Sequence, residues 1–238
     1  METWRDNHGV MSDEAPAHIA TGRHSLRVTL TSKSFLMSPV AAGWRALRHI
    51  ASLLRQLPSP ARRAAIRRLL ETPRARHTRL TDAAVTPIER LVVVCHGNIM
   101  RSAFAVAYLQ QLAPELSNRF VGAGTHATLG RPAQESALRV SQELGVPLEA
   151  HRAKPLAQEA LRDGDVIVCM DRANEANVMA RYPAHAQRVF LIGDVAEQGN
   201  GDRVVVDPYA RGDDATRVAF ASIMAHAEGW LERLDRRA

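Results

Sequence analysis

The chain has 238 residues, of which 46% are hydrophobic and 24% charged, so it can hold one compact α/β domain with an extension, or two small domains. No uncharged apolar run approaches the roughly 20 residues that a transmembrane helix needs, and the acidic start lacks the apolar core of a secretory signal. We therefore expect a cytoplasmic protein. Its two cysteines, Cys95 and Cys169, are too few for a disulfide framework or a structural zinc site, and we predict neither a metal nor a cofactor.

Positive charge is concentrated in the first part of the chain. Residues 1–88 hold 14 Arg and Lys against 6 Asp and Glu, whereas residues 89–238 hold 17 against 19. The net charge of +6 therefore describes a basic extension joined to a slightly acidic domain. The basic part contains no recognisable nucleic-acid-binding module, so we predict no nucleic-acid partner.

The basic part divides into two segments. Residues 1–38 lack sustained periodicity, apart from one short strand pattern at 25–31, and are predicted to be poorly ordered. Residues 39–88 are predicted to form a helical extension. Its first helix is expected over 41–57, where apolar residues recur at helical spacing and arginines occupy the rest of the helix surface.

A second helix is expected after Ser59, which can cap it, with Pro60 at its first position. Its apolar side chains are predicted to face away from its arginines. Ile66, Leu69 and Leu70 would then lie on one side of the helix, and Arg62, Arg63 and Arg68 on the other. Two interpretations of this hairpin stay open. Either its basic face is solvated while the hairpin packs on the domain, or residues 41–70 bind an anionic membrane or an acidic partner.

From residue 89 onward, strand and helix patterns alternate at short spacing, which indicates a parallel sheet covered by helices on both faces. The strand patterns span residues 91–95, 119–123, 165–170 and 188–192. The helix patterns span residues 102–112, 132–144, 174–181 and 214–234. Active sites in such sheets lie beyond the carboxyl ends of the strands, so chemistry is expected in the loop after the first strand.

That loop has the residues that a phosphate-binding site needs, in the order Cys95-His96-Gly97-Asn98-Ile99-Met100-Arg101-Ser102. Backbone N–H groups between Cys95 and Arg101 can converge on phosphate oxygens, because Gly97 and Asn98 tolerate the unusual dihedrals required. The guanidinium of Arg101 can bind two oxygens at once. A helix N-terminus, Arg101 and a hydrogen bond from Ser102 all favour the thiolate form of Cys95. The pattern predicts a cysteine nucleophile, with an inert buried cysteine as the alternative.

Attack on a phosphate ester also needs a proton donor for the departing oxygen. Asp207 is the leading candidate, because it follows a valine run at 204–206 and precedes the last predicted helix. Its loop should therefore open on the same edge of the sheet as Cys95. An ordinary Asp-Pro turn is the alternative interpretation.

These segments together resemble the low-molecular-weight protein tyrosine phosphatases over residues 89–236. The resemblance rests on VCHGNIMRS, GAGTHATLGRPAQESALRVSQELGV, AHRAKPL, VIVCMD and the late DPY. It implies a flavodoxin-like fold with a four-stranded parallel sheet, a phosphocysteine intermediate at Cys95, a phosphate clamp at Arg101 and a general acid and base at Asp207. It also implies that His151 supports the loop through Asn98, with an ordinary structural histidine as the alternative. The implied partner is a phosphotyrosine protein, such as a bacterial tyrosine kinase.

Three departures from the family pattern are informative. Met100 stands where many members carry a second cysteine that can form a protective disulfide with the nucleophile. Ala210 replaces a second tyrosine found in animal members, and Ile99 replaces the threonine of the related arginine phosphatases. The last two departures favour a bacterial tyrosine phosphatase.

The substrate-selecting loop also differs, because residues 125–130 lack the aromatic side chain that several members place there. Recognition of the phosphotyrosine ring is therefore predicted to depend on Tyr209, His96 and apolar surface, with His126 also in the substrate cleft.

Two other functions are compatible with the sequence. An arsenate reductase on the same fold would use Cys95 to attack arsenate, but its thioredoxin-coupled branch needs two further cysteines, and here only Cys169 is present. An external thiol would have to replace them. A non-catalytic phosphate-binding scaffold is the other alternative, although Cys95, Arg101 and Asp207 together argue against it.

Overall fold

The computed structural model describes residues 48, 50–52, 55, 66–68, 70–81, 87–196 and 203–235. The predictions of poor order at 1–38 and of a strand at 25–31 lie outside these residues. The predicted helix over 41–57 falls on them in part, and residues 48, 50–52 and 55 are helical. Within the described part of the chain, none of the helices combines the length and the hydropathy required to cross a membrane.

Four parallel strands form the sheet, as predicted. They are β1 (Arg90–Cys95), β2 (Phe120–Gly124), β3 (Asp165–Cys169) and β4 (Val189–Leu191). Their order is β2-β1-β3-β4, which makes β4 an edge strand and places β1 between two neighbours. Every residue of β1 is buried, because helices cover both faces of the sheet and its valine-rich run packs on both sides.

Five described helices accompany the sheet: α1 (Pro73–Leu80), α2 (Arg101–Leu112), α3 (Glu135–Glu143), α4 (Arg172–Arg181) and α5 (Gly212–Asp235). One core lies between the sheet and helices α2, α3 and α5, where Phe104 stacks on Phe220 at 3.8 Å between ring centroids. A second core lies on the opposite face, under α4. This arrangement is the predicted flavodoxin-like α/β fold.

The two cysteines belong to opposite faces of the sheet. Successive residues of a strand point to opposite sides, and Cys95 packs in the core under α2 and α5. Cys169 is paired in register with Val94, the residue before Cys95, and both pack in the core under α4. The two thiols are therefore separated by the sheet.

Some predicted boundaries were wrong by one to three residues for local reasons. Helix α3 begins at Glu135 instead of residue 132, because the side chain of Gln134 caps it by accepting a hydrogen bond from Ser136 N at 2.7 Å. Strand β4 ends at Leu191 because Asp194 turns the chain there, accepting a hydrogen bond from Leu191 N at 2.9 Å.

Helix α1 was not predicted from the sequence. The side chain of Thr72 caps it by accepting a hydrogen bond from Ala75 N at 3.3 Å, and Pro73 occupies its first position. The helix lies on edge strand β4, where Arg79 donates to Val189 O at 3.2 Å and stacks over the Phe190 ring at 3.9 Å. This part of the extension is therefore packed on the α/β domain.

The predicted division of the second helix into apolar and basic faces was wrong at all three of the assigned residues that the structure describes, Ile66, Arg68 and Leu70. Arg68 is buried instead of solvated, because its guanidinium donates hydrogen bonds to the carbonyl oxygens of Ala186 and Val189 and to Gln187. Ile66 and Leu70, expected on the apolar side away from the arginines, are 38% and 77% exposed. An edge strand offers unpaired carbonyl groups, which an arginine can satisfy and a leucine cannot.

Candidate active site

The loop after β1 has the conformation that its sequence predicts. Cys95 ends β1, and α2 begins at Arg101 after five residues of irregular backbone. Asn98 has a φ of 50°, in the left-handed region that asparagine tolerates better than most residues. In this conformation the Asn98 backbone N–H points at the sulfur of Cys95, 3.2 Å away.

The side chain and carbonyl group of Asn98 hold the loop from behind. Its Nδ2 donates to Ser102 Oγ at 2.8 Å, and its Oδ1 accepts from Lys154 N at 2.9 Å. His151 Nε2 lies 2.6 Å from Asn98 O. Burial lowers the pKa of His151, so the ring is neutral at pH 7, and its Nε2 must carry the proton because a carbonyl oxygen can only accept. The predicted contact between His151 and Asn98 is present.

Two donors are directed at the buried sulfur of Cys95. Ser102 Oγ lies 3.0 Å from it, in addition to the Asn98 N–H. Because Asn98 Nδ2 already donates to Ser102 Oγ, the hydroxyl proton of Ser102 is available for Cys95 or for Ala123 O at 3.3 Å. Donors of this kind stabilise the thiolate over the thiol.

Arg101 is buried and held by three oxygen atoms. Its Nη1 donates to Asp171 Oδ2 at 2.7 Å and to Val205 O at 2.9 Å, and its Nη2 lies 2.7 Å from Asp207 Oδ2. Burial alone would lower the pKa of Arg101, but the negative charges of Cys95, Asp207 and Asp171 raise it overall. The guanidinium is therefore charged and fixed in orientation.

Asp207 reaches the same place from the loop before α5. Its side chain is 44% exposed, and its Oδ1 accepts a hydrogen bond from Tyr209 N at 3.2 Å, which fixes the turn. A cavity of about 280 Å³ brings the predicted nucleophile, clamp and acid together. Its lining consists of Cys95, His96, Gly97, Ile99, Met100, Arg101, His126, Thr128, Arg131, Asp207 and Tyr209.

The mouth of the cavity carries the aromatic residues predicted for the substrate cleft. The rings of His96 and His126 stack with centroids 4.6 Å apart, and His126 N donates to His96 O at 2.8 Å. The exposed Tyr209 lines the cavity together with them. The remaining predicted residues, Asn98, Ser102 and His151, support the loop without lining the cavity.

Sequence reasoning missed two side chains near the reacting groups. Asp171 binds Arg101 and also caps α4, accepting a hydrogen bond from Asn174 N at 2.7 Å. Its position two residues after β3, on the same edge of the sheet as Cys95, could have identified it. Arg131 also lines the cavity. Its position immediately after the substrate-selecting loop 125–130 could have identified it.

The family model for low molecular weight phosphotyrosine protein phosphatases matches residues 90–238. The chain belongs to this family. Among its relatives, the low molecular weight protein-tyrosine-phosphatase Etp of Escherichia coli K12 is 31% identical over 146 residues, which are 61% of this chain and 95% of Etp. The enzyme is therefore a protein tyrosine phosphatase, that is, a phosphoric monoester hydrolase.

Solved structures of bacterial phosphatases are similar to this fold. The tyrosine phosphatase AmsI of Erwinia amylovora is 29% identical and superposes with a TM-score of 0.55. The superposition covers 61% of this chain and 93% of AmsI. Wzb of Vibrio vulnificus, solved with benzylphosphonate, is 28% identical and superposes with a TM-score of 0.52. This superposition covers 62% of this chain and all of Wzb. Helix α1 lies outside the residues that the family model matches.

The positions of the sulfur atoms predict how the phosphatase responds to oxidants. Peroxide should convert the Cys95 thiolate to a sulfenic acid, which a nearby thiol would normally capture as a reducible disulfide. Met100 offers no thiol, and Cys169 lies across the sheet, where burial raises its pKa and disfavours the thiolate. We expect inactivation that dithiothreitol reverses poorly, and protection by bound phosphate.

Met100→Cys supplies the matched variant for this test, because it places a thiol in the loop beside Arg101. It should restore recovery of phosphatase activity after peroxide treatment. Complete recovery of the unmodified enzyme, or a Cys95–Cys169 disulfide found by mass spectrometry, would contradict the assigned separation of the two thiols.

Proposed function

We propose that this phosphatase hydrolyses phosphotyrosine in proteins in two steps, with Cys95 as nucleophile, Arg101 as phosphate clamp and Asp207 as general acid and base. The observation that carries the proposal is their convergence on one cavity at the carboxyl edge of the sheet. Their types match the three requirements of the reaction, which are a nucleophile, a bidentate cation and a proton donor.

In the first step, the Cys95 thiolate attacks phosphorus, and the bond from phosphorus to the tyrosine oxygen breaks. The loop N–H groups and Arg101 bind the equatorial oxygens, where negative charge is concentrated in the transition state. Asp207 donates its proton to the departing phenolate. A bound phosphate dianion competes with the Asp207 carboxyl group for Arg101 Nη2, which in the free enzyme lies 2.7 Å from Asp207 Oδ2.

In the second step, water attacks phosphorus on the phosphocysteine, and the phosphorus–sulfur bond breaks. The Asp207 carboxylate accepts the proton of the water. The electron pair returns to Cys95, where Ser102 Oγ at 3.0 Å and the Asn98 N–H at 3.2 Å stabilise the departing thiolate. The products are inorganic phosphate and the original enzyme.

An aromatic phosphate ester suits the cleft. The exposed ring of Tyr209 and the stacked rings of His96 and His126 can contact the phenyl group of the substrate. The relative Wzb was solved with benzylphosphonate, in which an anionic phosphonate is attached to an aromatic group, and this supports the same substrate class here.

The physiological setting follows from the same chemistry. A bacterial tyrosine kinase is the proposed phosphotyrosine partner, by analogy with the family. The cytoplasm is the proposed location, because a reducing compartment keeps the Cys95 thiol free. Peripheral contact of residues 41–70 with an anionic membrane or acidic partner is supported by the exposed arginines Arg48, Arg55 and Arg67.

Replacing Asp207 with asparagine tests the proposal. The change should lower kcat/KM for a phosphotyrosine peptide by roughly 10²–10⁴, as for a lost general acid. It should lower kcat/KM much less for an activated aryl phosphate, because a good leaving group departs without a proton.

Asp214→Asn is the control, because the same chemical change is made seven residues further on, in a side chain that is 98% exposed. Asp214→Asn should leave kcat/KM for both substrates unchanged. Equal losses on both substrates in Asp207→Asn would assign Asp207 a structural role instead.

A further inference from the structure

A buried ion cluster lies between helix α1 and the back of the active site. It consists of Arg76, Arg172, Glu175, Asp194 and Arg203. Arg76 joins its two acids, since its Nη1 lies 2.5 Å from Glu175 Oε1 and 3.2 Å from Asp194 Oδ2. The side chain of Arg76 is 0% exposed, and both acids are buried.

Arg76 is the fully buried cation of this cluster. The two other arginines are partly exposed, with 33% of the Arg172 side chain and 16% of the Arg203 side chain accessible. Burial alone would lower the pKa of Arg76, but Glu175 and Asp194 raise it overall, so the guanidinium is charged. Removing one partner from a buried pair leaves uncompensated charge, which is strongly destabilising.

One path from Arg76 leads to the loop that carries Asp207. Asp194 Oδ1 accepts a hydrogen bond from Arg203 Nη1 at 2.9 Å. The two backbones also pack closely here, because a Cβ at Gly193 would lie only 2.6 Å from Arg203 Cα. Two residues later, Val205 O accepts from Arg101 at 2.9 Å, and Asp207 follows.

A second path leads through helix α4. Glu175 lies in its first turn, and its backbone N–H donates to Asp171 O at 3.0 Å. The carboxylate of Asp171 in turn accepts from Arg101 Nη1 at 2.7 Å. Arg76 is therefore linked through Glu175 to the helix whose capping residue, Asp171, binds Arg101, and through Asp194 and Arg203 to the segment that carries Val205 and Asp207.

We propose that Arg76 is a positioning residue for phosphoryl transfer: through Asp194 and Arg203 it fixes the segment 203–207 so that Asp207 is aligned with the leaving oxygen. The inference rests on the proposed role of Asp207. Arg76 belongs to α1, outside the residues that the family model matches, so the extension contributes to catalysis in this chain.

The test compares Arg76→Met with Arg79→Met in the full-length enzyme. Both arginines attach α1 to the domain, but the hydrogen bonds of Arg79 within the described residues go to Glu71 and to the carbonyl groups of Gln187 and Val189. Arg76→Met should lower kcat/KM for a phosphotyrosine peptide roughly tenfold, since small misplacements of reacting groups are costly. The loss for an activated aryl phosphate should be much smaller.

Arg79→Met should leave the ratio of the two kcat/KM values unchanged, even where it lowers the melting temperature. In an Asp207→Asn background, Arg76→Met should cause no further leaving-group-dependent loss, because the group that it positions is already gone. Arg203→Met removes the hydrogen bond between Arg203 and Asp194 and should also lower kcat/KM mainly for the phosphotyrosine peptide. Because Arg203 is partly exposed, this variant can replace Arg76→Met in the test if Arg76→Met does not fold.

The outcomes separate this inference from the proposed function. If Asp207→Asn slows both substrates equally, the proposed acid is wrong. Suppose instead that Asp207→Asn mainly slows the phosphotyrosine peptide. The positioning role of Arg76 is then overturned if Arg76→Met or Arg203→Met slows both substrates equally. It is also overturned if Arg76→Met, like Arg79→Met, leaves the ratio of the two kcat/KM values unchanged. A selective loss that persists in the Asp207→Asn background would also overturn it, because Arg76 would then act through another group.

Discussion

Replacing Cys95 with serine should abolish phosphate release while preserving the binding of phosphate or vanadate. A serine hydroxyl is a much weaker nucleophile than a thiolate unless a base activates it. The oxyanion site itself should survive, because the loop N–H groups and Arg101 are unchanged. Phosphate release is measured with a phosphotyrosine peptide, and oxyanion binding by calorimetric titration.

Cys169→Ala is the matched control for this change. Cys169 is buried in β3 on the other face of the sheet, so its removal should affect stability more than turnover. Near-native phosphate release by Cys95→Ser would contradict the covalent mechanism. Loss of both turnover and oxyanion binding would instead indicate that the loop had collapsed.

Arg101→Lys should be almost as damaging, although it preserves the charge. Arg101 contacts Asp171, Val205 O and Asp207 in fixed directions, and it must also bind two phosphate oxygens. An ammonium group is a point charge without the planar fork that these contacts need. We expect kcat/KM to fall by roughly 10²–10³, which is typical for the loss of a preorganised transition-state donor.

Arg139→Lys is the control for a conservative change at an arginine that forms an exposed ion pair, here with Asp213. It should keep wild-type kcat/KM, since surface ion pairs contribute little. Near-native rates in Arg101→Lys would show that a single positive charge is sufficient and that bidentate binding is not required.

The parts of the site that the sequence predicted correctly are local. Cys95 and Arg101 belong to one loop between a strand and a helix, and this context predicted that both side chains line the same cavity. The strand before them and the helix after them have clear periodicity, which also placed the loop at the carboxyl edge of the sheet. Asp207 was found because its loop follows an apolar run, even though it is more than a hundred residues away.

The parts that were missed depend on contacts between distant segments. Nothing in α1 marks Arg76 as the partner of Glu175 and Asp194, because the helix has no apolar stripe. The pattern of Arg68 predicted a solvated face, since arginines are usually exposed. The carbonyl groups at edge strand β4 reversed that expectation, and their positions can be known only once the fold has formed.

This outcome also changes the interpretation of the basic extension. Three of its arginines, Arg68, Arg76 and Arg79, are committed to carbonyl groups and acids of the domain. Their charge is therefore used inside the fold and is not available to an anionic partner. Net charge along a sequence predicts partners only for side chains that stay exposed.

Trapping the phosphoenzyme tests the covalent mechanism most directly. In Asp207→Asn, an activated aryl phosphate should still phosphorylate the enzyme, because its leaving group needs no proton, whereas hydrolysis of the intermediate should be slow without the base. The variant is mixed with the activated ester, quenched in denaturant during turnover, and analysed by mass spectrometry of the intact chain and its peptides. We predict one phosphoryl group per chain, located on Cys95. Turnover without a phosphorylated enzyme, or a phosphoryl group on His96 instead, would contradict this account.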